Sequence, residues 1–171
     1  MAEILTVYFS RRGQNYWKGG IRDLPRGNTE IVAEMIREAV GGDLFRVETV
    51  RPYAADYYRC TEEARQELRA NARPALKACP ETLDAYDTVF VGYPNWWGTM
   101  PMAMAAFLER YDLSGKRLIP FCTNEGSGLG RSVEDLRSLC PAGRVERGLS
   151  IPGHLAAESG PQVMAWARQF V

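Results

Sequence analysis

The chain reads as an α/β protein built on a doubly wound parallel sheet. Two observations predict that class. Ile4–Phe9, Thr88–Gly92 and Leu118–Cys122 are short apolar runs with no polar face, the composition of strands covered on both sides. Stretches of helical periodicity lie between such runs, and strand alternating with helix builds a parallel sheet with helices on both faces. At 171 residues the chain is expected to form a single domain, 1–171, large enough for a proper core.

The first strand, Ile4–Phe9, ends at Ser10, and a helix begins at Thr29 with Ile31, Val32, Met35, Ile36, Ala39 and Val40 on one stripe. The segment Ser10–Asn28 between them is long for a strand-to-helix connection, where about 2 to 6 residues are usual, and is expected to be an inserted loop. It carries Arg11, Arg12, Lys18, Arg22 and Arg26 against one acid, Asp23, together with Tyr16 and Trp17. It is either a solvated surface loop or an anion-attracting one whose aromatics cover a ligand or meet a partner. Gly27-Asn28-Thr29 at its end opens the helix. Asn28 or Thr29 there is either a plain helix cap or, with Ser10, part of a phosphate cradle, because a helix N-terminus after the first strand of an α/β sheet is where phosphates are held.

Gly41-Gly42 turns the chain into a second strand, Asp43–Val50. Arg51-Pro52-Tyr53 breaks it, and Thr61–Asn71 is expected to be helical, with Ala64, Leu68 and Ala72 on its apolar stripe. Tyr53, Tyr57 and Tyr58 precede that helix and are read as stapling it to the sheet. The third strand runs into Tyr93-Pro-Asn-Trp-Trp-Gly-Thr-Met-Pro101. Adjacent loop residues diverge in direction, so one of Trp96 and Trp97 should be partly exposed, and an exposed indole in a loop suits stacking on a flat ligand. Pro101 suits the first turn of the next helix, with Met102, Ala105, Ala106 and Phe107 facing inward.

The fourth strand, Leu118–Cys122, contains Pro120, which predicts an interrupted hydrogen-bond ladder there. Its loop, Thr123–Gly130, is rich in glycine and permits close backbone approach to a planar ligand, although it matches neither a dinucleotide nor a nucleotide-triphosphate fingerprint. A helix with Leu129, Val133, Leu136 and Leu139, a last strand within Val145–Ile151, and a helix opened by a capping box at Ser159–Gln162 complete the chain. His154 has no partner visible in the sequence and is read as structural.

Lys plus Arg and Asp plus Glu are equal at 21 each, so no overall field favours nucleic acid or an anionic membrane. Cys60, Cys79, Cys122 and Cys140 are widely spaced, which suits reduced thiols of a cytoplasmic protein better than a disulfide framework or a metal site. No run is long and apolar enough for a spanning helix, and nothing near the start has the pattern of a signal peptide. All three unusual loops fall at the C-terminal edge of the sheet, a site for a phosphorylated planar ligand.

Tyr8-Phe-Ser-Arg11, Gly27-Asn-Thr29, Gly92-Tyr-Pro-Asn-Trp-Trp-Gly98, Pro120-Phe-Cys-Thr123 and Gly126-Ser-Gly-Leu-Gly130, in this order across nearly the whole chain, resemble the flavodoxin family, in a form with an insertion in the phosphate loop. The resemblance implies a flavodoxin-like five-stranded sheet of order 2-1-3-4-5 binding FMN without a covalent link. It implies that Ser10, Asn28 and Thr29 hold the phosphate, joined by Arg11, Arg12 and Asn15, although the insertion splits the family's compact motif. Pro94, Asn95, Trp96, Trp97, Gly98 and Thr99 would flank the isoalloxazine, with Gly98 letting a carbonyl turn toward its N5. Thr123, Asn124, Glu125, Gly126, Ser127 and Gly128 would close over the other side.

The expected function is electron transfer between redox proteins through FMN, with no catalytic residue of the chain's own. The competing reading is an FMN-dependent reductase of quinones or nitro compounds using NAD(P)H, with a small-molecule electron acceptor at the insertion. A phosphorylation-receiver module would need an acidic pair after strand one and an Asp after strand three, where this chain has Ser10-Arg11-Arg12 and Tyr93-Pro94. The acidic surface of electron-carrier flavodoxins is missing from the charge balance, which leaves the identity of the partner open.

Overall fold

A computed structural model describes residues 3–171; positions 1 and 2 of the expected domain lie outside the described residues. The chain runs β1 (Ile4–Tyr8), β2 (Gly13–Trp17), β3 (Gly20–Leu24), α1 (Asn28–Val40), β4 (Asp43–Arg46), α2 (Tyr57–Arg69), β5 (Thr88–Pro94), α3 (Met102–Leu108) and β6 (Arg117–Asn124). It continues through α4 (Ser132–Leu139), β7 (Arg144–Val145), β8 (Leu149–Pro152), a 3-10 helix (Gly153–Glu158) and α5 (Gly160–Arg168). The main sheet has the order β4-β1-β5-β6-β7, with β8 also pairing β6, and every pairing in it is parallel. This is the expected 2-1-3-4-5 order, with the fifth place shared by two short strands.

That sharing has a cause in Pro120. The backbone of Leu118 faces β7, since its carbonyl accepts from Glu146 N. Residues of a strand alternate sides, so Pro120 faces the same neighbour and offers it no N–H. The outer strand pairs with Arg117 and Leu118 as β7, breaks opposite Pro120, and resumes at Phe121 as β8. Toward β5 the ladder is continuous, with Val91 opposite Pro120. A proline is tolerated in this strand because its missing donor falls on the interrupted side.

The same alternation divides the core into two layers. Leu5, Val7, Val89, Val91, Leu118 and Cys122 pack with α3 and α4 through Met104, Phe107 and Leu136. Ile4, Tyr8, Phe90, Ile119 and Phe121 pack with α1 and α5 through Val32, Ile36 and Val163.

The insertion is not a plain loop. It forms an antiparallel hairpin in which Trp17 pairs with Gly20 across Lys18 (φ 49°) and Gly19 (φ 85°), two successive left-handed residues that match a hairpin's twist. The second strand is shorter than expected. After Val47, whose N–H reaches Tyr8 O, the chain swings away to bridge Thr49 with Leu76, leaving Val50 exposed. Helix α2 starts four residues before the expected Thr61, because Asp56 caps it by accepting from Arg59 N at 2.9 Å. Tyr53 staples it as expected, donating to Glu67 at 2.6 Å. The capping box at Ser159 does not form, since that hydroxyl donates to Ala156 O instead.

Candidate functional site

The C-terminal ends of β1, β5 and β6 open onto a cleft of about 250 Å³. At one end lies the start of α1. Its N-cap is Gly27, and Ser10 Oγ accepts from Glu30 N at 3.1 Å, so Ser10 rather than Asn28 or Thr29 does the capping. The amides of Asn28 and Thr29 are the first two of the helix and have no acceptor within it, and both residues line the cleft. Thr29 Oγ1 sits 2.7 Å from Thr123 Oγ1, both buried, which pins the helix start to the end of β6.

The hairpin is bolted to α2. Arg11 donates through Nε to Gln14 O (2.9 Å) and through Nη2 to Ala54 O and Ala55 O (3.0 Å each), while Gln14 Oε1 accepts from Tyr57 N (2.7 Å). Asn15 stiffens the turn by donating to Arg11 O and Gly13 O. Arg11, Asn15, Tyr16 and Tyr57 thereby line the cleft.

Arg12, expected at the phosphate, turns the other way. It grips the buried Glu30 with Nε 3.2 Å from Oε1 and Nη2 2.7 Å from Oε2, and Arg46 adds a third contact at 3.1 Å. The Arg12 guanidinium holds the Glu30 carboxyl below the usual carboxylate range, against the opposing effect of burial. A folded value below the unfolded one stabilises fully above the unfolded pKa, about 4.3, and that stability is lost as pH falls through the folded value. Acid unfolding followed by circular dichroism should therefore show Glu30→Gln losing less stability than wild type below pH ~4, after starting about 1 kcal/mol less stable at neutral pH because Arg12 is largely exposed. Parallel acid profiles would refute this. Arg26 similarly pairs with Glu34, so part of the insertion's expected positive field is neutralised by α1.

On the second loop, Asn95 acts as the bracket. Its N–H reaches Thr123 O (2.9 Å), its Oδ1 accepts from Gly98 N (2.8 Å), and its Nδ2 donates to Gly128 O (2.8 Å). Trp96 and Thr99 bridge across Trp97 (φ 59°) and Gly98 (φ 88°), a turn that forces the two indoles apart. Trp96 faces inward, edge-on to Phe9 and Tyr53 at 5.1 Å each. Trp97 is 48% exposed, donates to Thr61 O at 2.8 Å and lies under Arg65. The expected divergence is present. The Gly98 carbonyl oxygen accepts from Arg131 N at 2.8 Å, and the Gly98 N–H donates to Asn95 Oδ1. Thr99 points away and donates to Asp135 at 2.5 Å.

On the third loop, Asn124 Oδ1 accepts from Gly126 N and Gly128 N, each at 3.0 Å, and its Nδ2 donates to Ser150 Oγ. Thr123, Asn124, Glu125 and Ser127 line the cleft together with Pro94, Asn95 and Trp96. Arg12, Trp97, Gly98, Thr99, Gly126 and Gly128 lie outside it.

Sequence reasoning missed Gly153, which lines the cleft, and the partner of its neighbour His154. Gly153 packs so closely on Asn28 that a Cβ there would overlap the Asn28 amide. His154, read as partnerless, has Nδ1 2.6 Å from Glu125 Oε2. A Gly-His pair following a strand end carries little local signal.

The cleft continues past Trp96 into a chamber of about 460 Å³ walled by Tyr16, Tyr57, Tyr58, Trp96 and Trp97. Among the described residues there is no cluster able to hold a metal ion, and no helix is long and apolar enough to cross a membrane.

A flavodoxin family profile matches residues 24–169. No match was found among proteins of curated function. Among solved structures, a candidate flavoprotein from Bacteroides eggerthii DSM 20697 is 30% identical over 99% of this chain and 98% of its own, with a TM-score of 0.79. One from Bacteroides uniformis ATCC 8492 is 26% identical over 98% of each chain, also at 0.79. A flavoprotein from Lactobacillus acidophilus NCFM, solved in complex with FMN, shares the fold at 19% identity over 92% of this chain and 98% of its own, with a TM-score of 0.66. Parallel strands in 2-1-3-4-5 order, a helix start facing three loops at one sheet edge, and a profile match across most of its length together place this chain in the flavodoxin family.

Proposed function

We infer that this chain binds FMN without a covalent link and transfers electrons through it. The observation that carries the reading is one cleft lined both by Asn28 and Thr29, whose helix-start amides are unpaired, and by the half-buried Trp96. Amides and a macrodipole suit a phosphate, and an indole suits a fused aromatic ring. The close approach of Gly27 to Ser10 and Arg11 further fits a loop wrapped tightly around a small anion. The Lactobacillus acidophilus relative in complex with FMN supports the same ligand. When bound, the flavin supplies the redox chemistry. The chain's own residues anchor the phosphate at α1, wall the ring with Trp96, and fix the loops through Asn95.

Redox proteins are the preferred partners, with no nucleic acid or membrane partner, and the exposed Trp97, Tyr58 and Tyr16 form the nearest apolar rim. The four thiols are free. Burial pushes Cys122 up to about 12 and Cys60 and Cys140 to about 11, which keeps them protonated and inert, as suits a reducing cytoplasm.

The second reading, an FMN-dependent reductase of quinones or nitro compounds, is favoured by the aromatic chamber beyond Trp96, which has the size and walls for a flat substrate. One experiment separates the two. FMN fluorescence should be quenched by the purified chain, and NAD(P)H oxidation by the loaded protein with a quinone present should stay below about 1 s⁻¹ unless a separate reductase is added. Faster turnover that is lost when Gly13–Leu24 is deleted would establish the reductase. Absence of quenching would remove both.

A further inference from the structure

His154 is the only histidine of the chain, placed at the start of the 3-10 helix that follows β8. Its Nδ1 lies 2.6 Å from Glu125 Oε2, which leaves Glu125 Oε1 as the other acceptor of that carboxylate. Oε1 is buried and has no hydrogen-bond partner among the described residues. A buried carboxylate oxygen without a donor is costly, so native structures rarely leave one unpaired. Glu125 lines the cleft, so a small shift of its carboxylate lets a donor held in the cleft supply the missing bond. A phosphate cannot supply it, whereas ribityl hydroxyls and the ring imide N–H can.

We propose that Glu125 and His154 form a proton-linked unit of the cofactor site: Glu125 Oε1 accepts a hydrogen bond from the cofactor, and His154 takes up one proton when the bound flavin is reduced. This rests on the FMN reading. With Nδ1–H donating to Glu125, the proton from solvent adds to Nε2 and makes an imidazolium. No bond forms to the cofactor, and the electrons come from the reduced redox partner. The driving force is charge. With a neutral imidazole the pair carries one negative charge at the wall of the cleft, and electrons added to a flavin held in that cleft would meet like-charge repulsion in a partly desolvated site. An imidazolium cancels it. By linkage, lower pH then favours reduction, and reduction raises the proton affinity of His154 by the same factor.

Among the described residues, Glu125 is the charged side chain bonded to this imidazole. The hairpin presents the Trp17 ring edge-on at 6.3 Å, with Arg22 over that indole at 4.6 Å. Helix α1 presents the uncharged Asn28 to the adjoining Gly153. The charged residue of the 3-10 helix is Glu158, exposed at its far end.

A single histidine makes the test direct, because the imidazole Cε1–H signal in a proton NMR titration belongs to His154 alone. The titration is run on the chain loaded with oxidised FMN and again after anaerobic reduction with dithionite. The expected result is a midpoint about one pH unit higher in the reduced form, a tenfold coupling. Glu125→Ala, which removes the acceptor, should weaken FMN at least tenfold, read by fluorescence quenching. His154→Gln should flatten the dependence of the reduction midpoint on pH near neutrality. Identical midpoints in the two redox states overturn the proton linkage, and unchanged FMN affinity in Glu125→Ala overturns the hydrogen bond. The two titrations of the unmutated chain decide the first point even if a variant fails to fold. Wild-type protein that does not quench FMN fluorescence overturns the function reading and this proposal together. Quenching without linkage overturns only the proposal.

Discussion

Gly27→Ala is expected to weaken FMN by at least about tenfold and to cost about 2 kcal/mol of stability, the overpacking range. The backbone is not the obstacle. Gly27 has φ −69° and ψ 152°, which any residue adopts. The obstacle is space: a Cβ would overlap Ser10 Oγ and sit 2.8 Å from the Arg11 carbonyl oxygen. Both neighbours have duties that movement would break. Ser10 Oγ holds the Glu30 amide, and the Arg11 carbonyl accepts from Asn15. Displacing them loosens the turn that presents the Asn28 and Thr29 amides, so affinity and stability fall together. A loss of that size corresponds to several degrees in the melting temperature of a chain this long. Gly20→Ala is the control, since its Cβ would meet nothing closer than the Trp17 carbonyl oxygen at 3.9 Å. If the two alanine variants melt alike and bind FMN alike, the tight phosphate turn is not what holds the ligand.

The strand order, the three site-forming loops and the break beside Pro120 were legible because each is written in a local signal: an apolar run, a cluster of loop glycines, a missing N–H. Trp96 and Trp97 were legible as a diverging pair for the same reason, although which one faces inward was not. That choice depends on Phe9 and Tyr53, which meet Trp96 from distant parts of the chain. Contacts across long separations were what the sequence concealed. Arg12 and Glu30 are 18 residues apart, and Glu125 and His154 are 29 apart; no periodicity connects either pair. The insertion's charge count was read correctly, but two of its arginines turn onto α1 carboxylates. Its hairpin could have been anticipated from Lys18-Gly19-Gly20, a turn signal between Tyr16-Trp17 and Ile21.

Truncating Trp96 should have the largest optical effect of any single change. Trp96 walls both the cleft and the aromatic chamber, so Trp96→Ala merges the two and strips the surface on which a ring would stack. Full truncation of a buried tryptophan costs about 3–5 kcal/mol; Trp96 is half-buried, which brings the expected loss to about 2 kcal/mol. Bound FMN should become fluorescent, because electron-rich indole in contact with the ring is the quencher. Trp96→Phe should keep much of the edge-to-face packing on Phe9 and Tyr53, and so most of the stability, while still brightening the flavin. Trp97→Ala provides the contrast. It loses one hydrogen bond to Thr61 O and a stacking arginine on an exposed face, about 1 kcal/mol in all, and should leave flavin emission dark. The measurement is fluorescence lifetime of the FMN-loaded variants beside their thermal melts. If Trp97→Ala brightens the flavin and Trp96→Ala does not, the ring lies in the outer chamber against Trp97, and the assignment of the inner indole as its stacking wall is wrong.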